Sequence, residues 1–247
     1  MFQDLKPHLA DLQKRLIIIA LTLLVMFFVC FSFYEPILNW ILAPVEAALP
    51  TGSHMIAVEL GETFFTALMV SFFAAFFASL PVIFWQLWLF LAPGLYSNEK
   101  RILVPFVVGA SVMFSAGALF SYYIVVPLGF AFLIDFGSTV VSVTPSIGAY
   151  VSFFIKIVFG FGIAFELPVI TFFFAVVGLV NDQMMKDFFR YAVVLIFIIA
   201  ALLTPPDVVS QMLMAMPLLV LYVISIYIAK IFNPADKVEE HAEEDEE

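Results

Sequence analysis

Charged residues are scarce in this chain: Asp, Glu, Lys and Arg make up 12% of its 247 residues, against 64% hydrophobic residues. Soluble globular domains carry about 25% charged residues, because they must cover their surface with polar groups. The mean hydropathy of +1.11 points away from such domains as well. The composition therefore excludes an ordinary water-soluble domain and predicts an all-α polytopic membrane protein.

Cysteine and histidine are also rare. Cys30 is the only cysteine, which excludes a disulfide framework and a thiolate metal cluster. His8, His54 and His241 lie far apart in the sequence and outside the apolar runs, so we expect no histidine metal site. The chain has neither a Gly-rich phosphate loop nor a nucleophile elbow. We therefore expect no catalytic residues, no metal and no cofactor, and no basic patch for nucleic acid.

Long apolar runs dominate the rest of the sequence and predict six transmembrane helices. They cover residues 16–34, 62–91, 102–123 (continuing to 132), 148–177, 188–203 and 208–231. The fifth run would extend only about 24 Å as a helix, against a hydrocarbon core of about 30 Å. Either the bilayer thins there, or the turn at residues 204–207 lies within the membrane region, shielded by protein.

Both ends of the chain differ from this apolar body. At the amino terminus Phe2, Leu5, Leu9, Leu12 and Leu16 recur every three or four residues, which predicts an interfacial amphipathic helix over residues 1–15. The carboxyl terminus is rich in Asp and Glu, which predicts a disordered acidic tail. The predicted organisation is therefore an amphipathic helix (1–15), a six-span domain (16–231) and an acidic tail (232–247).

Basic residues are missing from three of the predicted loops. Lys and Arg precede the first span, lie in or next to the connectors 92–101 and 178–187, and lie at or after the end of the sixth span. The loops 35–61, 134–147 and 204–207 contain none. Because cytoplasmic loops carry the excess of basic residues, both termini are predicted to be cytoplasmic.

Two carboxylates, Asp11 and Glu99, fall on this predicted cytoplasmic side. If the amino-terminal helix and the connector 92–101 come together, the two acids form a site for a cation, and a planar guanidinium suits such a site. The alternative is two solvated surface acids, with Glu99 paired to a basic neighbour such as Lys100.

Another carboxylate, Glu166, lies inside the fourth apolar run. A lone carboxylate is costly in hydrocarbon, so it needs a partner, a proton or a wet cavity. Pro168 opens the helix backbone beside it, which could seat a polar group from a partner helix. A proton relay and a purely structural helix contact are the alternatives. Lys156 is about 15 Å away along the same helix, and we expect it to be structural or to snorkel to the interface.

Two further features concern helix packing and helix ends. Ser71, Ala75 and Ser79 form a stripe of small residues on the second span, which predicts close approach by another helix; Ala74 and Ala78 form a second such stripe. Asp207 is positioned to cap the sixth span after the Pro-Pro turn. A functional role for this turn is the alternative.

Short motifs follow one another along nearly the whole chain. They are HLADLQKRL at 8–16, AP at 43–44, PVI at 81–83 with Gln86 and Trp88, FLAPGLY at 90–96 with EKR at 99–101, Gly117, Tyr122, PL at 127–128, AFELP at 164–168, and LTPPD at 203–207 with Ser210 and Gln211. This ordered set resembles the TatC family, the multispanning receptor subunit of the twin-arginine protein translocase.

The resemblance implies a fold and a function. The fold would be six spans in a glove-like concave bundle in the bacterial inner membrane. The protein would bind twin-arginine signal peptides on the cytoplasmic side. It would assemble with single-span TatA/TatB-type partners in a homo-oligomeric receptor complex and export folded proteins, driven by the proton-motive force.

It also implies three groups of site residues. Signal-peptide binding would involve Asp11, Glu99, Phe90, Pro93 and Arg15; an intramembrane polar site would hold Glu166, Gln86 and Tyr122; partner docking would involve Asp207, Gln211 and Pro44. The family more often has Glu at the position of Asp11 and Arg at that of Gln13. The alternative function is a proton- or ion-coupled secondary transporter using Glu166 and Lys156. The two halves show no repeat, which counts against it.

Overall fold

The computed structural model describes residues 2–49, 54–91, 103–138, 144–204 and 207–233. These residues form eight α-helices and one π-helical segment: α1 (Phe2–Phe31), α2 (Tyr34–Ala48), α3 (Glu62–Leu91), α4 (Leu103–Phe120), the π segment (Ser121–Val125), α5 (Val126–Ser138), α6 (Ile147–Val176), α7 (Asp182–Leu203) and α8 (Val208–Phe232). The predicted all-α class is confirmed. Pro93 and Glu99, and the acidic tail from residue 234 onward, lie outside the described residues.

Among the described residues, five helical stretches are long and apolar enough to cross a membrane: Ala10–Phe31, Glu62–Phe90, Val104–Asp135, Ile147–Val176 and Val208–Phe232. Each contains one of the predicted spans or most of it. The remaining predicted span, 188–203, lies in α7. The first turns of α7 carry Asp182, Lys186 and Arg190, which leave too short an apolar stretch. The count of six spans therefore stays a prediction.

Helix α1 runs from residue 2 to residue 31, so the predicted amino-terminal helix continues into the first span. One boundary differs from that expected. Helix α5 extends to Ser138, although a loop was expected from residue 134. The reason is local, because Leu133, Ile134 and Phe136 continue the apolar pattern that favours a helix.

The structure divides into two compact units. The first contains Met1–Val112 and Leu133–Ile155, and the second contains Met113–Phe132 and Lys156–Glu247. In the first unit α1 and α2 both pack against α3. Tyr150 of α6 donates a hydrogen bond to the carbonyl oxygen of Ile41 in α2 at 2.8 Å, and both residues are buried.

The stripe of small residues predicted on α3 is confirmed. Ser71, Ala75 and Ser79 are fully buried in the first unit. The second stripe does not behave this way, because Ala78 is exposed. Helix α3 therefore uses one small-residue face for packing.

In the second unit the chain reverses between α6 and α7 at Gly178. This residue has φ of +78°, a conformation that glycine adopts without a steric penalty. The N–H of Leu179 donates to the carbonyl of Phe174 at 2.8 Å, which closes the end of α6. Asn181 then caps α7 by accepting from the N–H of Met184 at 2.8 Å. These residues make α6 and α7 an antiparallel pair.

The π segment has a cause in the sequence. Proline at position 127 cannot donate the hydrogen bond that the carbonyl of Tyr123 would otherwise accept, and its ring crowds that carbonyl. The helix widens instead, and the N–H of Val126 donates to the carbonyl of Ser121. Such single wide turns are frequent at functional sites.

Candidate functional site

Asp11, one of the two predicted guanidinium-binding acids, already binds a guanidinium. Arg15 donates from Nε to Oδ2 of Asp11 at 2.7 Å, one turn away on α1. The side chain of Asp11 is 39% exposed and that of Arg15 is 18% exposed. The carboxylate thus faces partly outward while holding a charge-assisted hydrogen bond.

The other residues predicted for this site lie at the end of α3 and after it. Phe90 lies in the last turn of α3 and is exposed. Its neighbour Trp88 is fully buried and packs on Phe106 of α4, with ring centroids 4.7 Å apart. The packing of Trp88 against Phe106 holds the last turn of α3 in place, and Phe90 is exposed on that turn. The pairing of Asp11 with Glu99 stays a prediction.

Glu166 is buried in the second unit, with only 7% of its surface exposed. It accepts a backbone hydrogen bond from Phe114 in α4. Within the described part of the chain its Oε1 has no hydrogen-bond partner. Burying a carboxylate oxygen without a hydrogen-bond partner costs free energy. Protonation of Glu166 or a donor from another molecule would remove this cost.

Glycines bring α4 and α6 together beside Glu166. A β-carbon at Gly162 would lie 2.6 Å from the ring of Phe114. A β-carbon at Gly117 would lie 2.6 Å from the carbonyl oxygen of Phe161. No other residue type fits at either position without moving its neighbour, so the two glycines hold Phe114 beside the carboxyl group of Glu166.

The two other members of the predicted intramembrane polar site lie in different units. Tyr122 is buried in the π segment of the second unit. Gln86 belongs to the first unit, where it lines a groove of about 440 Å³ between α3 and α4 with Pro81, Trp85 and Val104. Glu166 and Tyr122 therefore belong to one compact unit and Gln86 to the other.

The turn between α7 and α8 collects polar groups. Asp207 accepts from the N–H of Ser210 at 2.6 Å and caps α8, so the predicted capping role is confirmed. Gln211 donates from Nε2 to the carbonyl oxygen of Phe197 at 3.0 Å and ties α8 to α7. Among the described residues, Oδ2 of Asp207 and Oγ of Ser210 have no partner. Pro44, predicted to act with this turn, lies inside α2 of the first unit.

A hydrogen-bond cluster around Glu62 was not expected from the sequence. Its Oε2 accepts from the N–H groups of Val58, at 2.5 Å, and of Glu59, at 3.2 Å. Its Oε1 accepts from the N–H of Gly148 at 2.6 Å and from the hydroxyl of Ser146. Glu62 thus joins the segment before α3 to the start of α6. Its place in the first turn of a helix was the available signal, because such acids satisfy free N–H groups.

No group of three His, Cys, Asp or Glu side chains able to hold a metal ion occurs in the part of the chain that the structure describes. Lys156 and Glu166 are both on α6 but do not form an ion pair there; Lys156 is exposed and Glu166 is buried.

Comparison with known proteins gives concordant results. The family model described as "TatC: Sec-independent protein translocase protein (TatC)" matches residues 7–217. A Sec-independent protein translocase protein TatC from Campylobacter jejuni is 54% identical, over 98% of this chain and 100% of that protein. The TatC from Helicobacter pylori is 49% identical over 100% of this chain and 96% of its own length. The one from Escherichia coli is 36% identical over 93% and 89%.

A solved structure shares the fold. The crystal structure of a twin-arginine translocase receptor, TatC, superimposes with a TM-score of 0.82 at 36% sequence identity. The match covers 91% of this chain and 99% of the crystallised one. A second crystal structure of such a receptor, in the detergent DDM, gives a TM-score of 0.81.

Proposed function

The chain belongs to the TatC family of Sec-independent protein translocase proteins, and from this membership we propose how its residues receive a signal peptide. It is the receptor subunit of a twin-arginine translocase, a multi-pass membrane protein and not an enzyme. It acts with other Tat subunits and with exported substrates. Membership also decides against the ion-coupled transporter.

Asp11 receives one of the two signal-peptide arginines, and Glu99 receives the other. The observation that supports this most directly is the hydrogen bond from Arg15 to Asp11, because the same carboxylate geometry suits an incoming guanidinium. Arg15 holds the carboxylate in place while the site is empty. Phe90 and Pro93 shape the connector that carries Glu99.

Crosslinking of a twin-arginine signal peptide to the purified protein tests this site. We expect Asp11→Ala and Glu99→Ala each to reduce the crosslink about tenfold, since a hydrogen bond to a charged group contributes about 1.5–3 kcal/mol. Asp187→Ala is the matched control, because Asp187 is an exposed acid on α7 that bonds Gln183. Crosslinking at the wild-type level in both test variants would contradict the assignment of Asp11 and Glu99 to the signal-peptide site.

Glu166 provides a polar seat inside the membrane for a hydrogen-bond donor from the substrate or from a partner helix. Its unpartnered Oε1 supports this role. Tyr122, buried in the π segment of the same unit, contributes polarity on the side of α4. We expect Glu166→Gln to support export and Glu166→Ala to abolish it. If both variants abolish export while the complex still assembles, a proton relay replaces the polar seat.

Asp207 and Gln211 dock single-span partners of the TatA/TatB type, together with Pro44. Oδ2 of Asp207 and Oγ of Ser210 support this role, because both are buried without a hydrogen-bond partner among the described residues and a donor supplied on docking would remove that cost. Co-purification with such partners should fall in Gln211→Ala and stay unchanged in Gln183→Ala, a glutamine in the first turn of α7. Equal recovery in the two variants would remove Gln211 from the docking surface.

The protein lies in the bacterial inner membrane with both termini in the cytoplasm and six spans, and α7 contributes the shortest span. The amphipathic segment 1–15 and the tail 232–247 then lie on the cytoplasmic side, and export is driven by the proton-motive force. A fluorescent protein fused to the carboxyl terminus should fluoresce, and alkaline phosphatase at the same place should be inactive. The reverse pattern would contradict this topology.

A further inference from the structure

An apolar groove of about 610 Å³ runs along α6, α7 and α8 in the second unit. Gly160, Ile163, Leu167 and Ile170 line its α6 wall, and Leu203 lies at one end of its α7 wall. Ile163 and Ile170 are exposed on the protein surface. The groove therefore opens toward the surrounding lipid along the length of α7.

Lys156 stands on the same face of α6 as this groove. With 3.6 residues per turn, Lys156 is rotated only about 20° from Ile163 and about 40° from Gly160. Exposed positions on α6 recur at Lys156, Ile163 and Ile170, seven residues apart. The lysine thus continues the exposed face of the groove wall toward the amino-terminal end of α6.

Lys156 also lies beyond the end of α7. Gly160 packs against Leu203, the last residue of α7, so closely that a β-carbon on Gly160 would lie 2.7 Å from Cδ1 of Leu203. Lys156 precedes Gly160 by four positions on α6, so the two residues are about 6 Å apart along the helix axis. Lys156 is therefore level with the polar turn between α7 and α8, although it is ten residues into its own helix.

The ammonium group of Lys156 forms no ion pair with any carboxylate of the described residues, Asp207 of the α7–α8 turn included. In the described part of the chain the ion pairs are Arg15 with Asp11 and Lys186 with Asp182. A charged side chain on an exposed face of a membrane helix requires either water or an anion at the interface. The anion that a bilayer supplies at this level is the phosphate of a lipid.

We propose that Lys156 and the groove form a phospholipid site, in which the ammonium group binds the phosphodiester and an acyl chain lies along α7. The two parts match the two ends of such a molecule: a cation at the level of the headgroups, and an apolar channel leading from it into the membrane. Basic groups at the ends of clefts between membrane helices bind lipid headgroups in this way. Because α7 ends early, a headgroup held by Lys156 lies deeper than its neighbours in the same leaflet.

A photoactivatable lipid tests the site on the full-length protein in detergent. The probe is phosphatidylglycerol with a diazirine in one acyl chain, added below saturation. We expect adducts on peptides from residues 160–170 and 188–203. In Lys156→Gln the yield should fall about fivefold, the factor for one lysine near a charged surface, and Lys156→Arg should restore it.

Three controls make the test decisive. Lys230→Gln removes an exposed lysine near the opposite end of the helix bundle, on α8, and should leave the yield unchanged. Ala164→Leu fills the groove from its α6 wall and should reduce the adducts while Lys156 is intact. A diacylglycerol probe without phosphate should label the groove no better in wild type than in Lys156→Gln.

Equal labelling of wild type and Lys156→Gln by the phosphatidylglycerol probe would overturn the proposal. So would labelling that Ala164→Leu leaves unchanged. If a co-purified membrane helix occupies the groove and excludes the probe, the occupant is a protein and the lipid site is wrong.

Discussion

Replacement of Gly117 by alanine tests whether α4 and α6 approach as closely as the structure shows. The new β-carbon would lie 2.6 Å from the carbonyl oxygen of Phe161, and 2.8 Å from Cγ of Phe165. Ordinary contact begins near 3.4 Å, so the overlap with the oxygen is about 0.8 Å. A backbone carbonyl cannot rotate away as a side chain can. The two helices must therefore separate.

Two opposing terms determine the size of the effect. Overpacking of a close contact costs about 1–3 kcal/mol, whereas alanine is favoured over glycine in a helix by about 1 kcal/mol. We expect a net loss of about 0–2 kcal/mol relative to the wild type and a fall in Tm of up to about 8 °C. Separation of the helices also moves Phe114 away from Glu166, so export of a folded substrate should decline with the stability.

Gly109→Ala is the matched control on the same helix. Apart from its own turn of helix, no atom of the described residues lies within 4 Å of a β-carbon at Gly109. This variant keeps the gain in helix propensity without the clash, so its Tm should equal or exceed that of the wild type. The assay is thermal unfolding of the purified variants in one detergent. A Tm for Gly117→Ala at or above that of Gly109→Ala would refute the close approach of α4 and α6.

Three other predictions concern single hydrogen-bonded groups. Glu62→Ala should speed hydrogen exchange at the amides of Val58 and Gly148, which lose their acceptor, whereas Glu59→Ala should leave Gly148 protected; equal exchange in both variants would contradict the role of Glu62. Tyr222→Phe removes the hydrogen bond to the carbonyl of Met185 and should cost about 0.5–1.5 kcal/mol in chemical denaturation, whereas the exposed Tyr227→Phe should cost nothing measurable. The hydrogen bond from Lys186, at 2.5 Å, lowers the pKa of Asp182 below its ordinary 3.8, so this pair stabilises the fold above that pH and the contribution is lost as the pH falls through the lowered pKa. Thermal scans should show that Asp182→Asn is less sensitive to acid than the wild type below about pH 4, and identical acid profiles would count against the pair.

Sequence patterns predicted the helical class and the position of most spans, because long apolar runs have few other outcomes in a membrane protein. They also predicted the cap at Asp207 and the buried face of Ser71, Ala75 and Ser79. In each case the signal is local: a capping residue follows a proline turn, or small residues repeat every four positions. Such features can be predicted from the sequence because residues close together in the chain determine them.

Features that depend on distant residues were not predictable in the same way. Glu62 binds Ser146 and Gly148, which follow it by more than eighty positions, and no spacing rule connects them. The contact of Gly117 with Phe161 likewise requires two helices to meet at one register. The helix at α5 was predicted to end too early, because a loop was expected from residue 134 although Ile134 and Phe136 keep the sequence apolar there. Asp11 and Glu99 are also far apart in the sequence, and their pairing rests on the proposed function.

The surface of α1 bears on how the protein is made. None of its side chains from Ala10 to Phe31 is buried, and α3 is its main packing partner. A ribosome completes α1 well before α3, so this helix must partition into the bilayer through its own side chains. Each Leu, Ile, Val or Phe near the centre favours insertion by about 0.3–0.6 kcal/mol, and this stretch consists largely of such residues. Helix α1 is then inserted in the membrane before α3 is available. Its later association with α3 depends on packing between the two helices. In the proposed topology, α1 then carries Asp11 to the membrane surface before the connector with Glu99 has been synthesised.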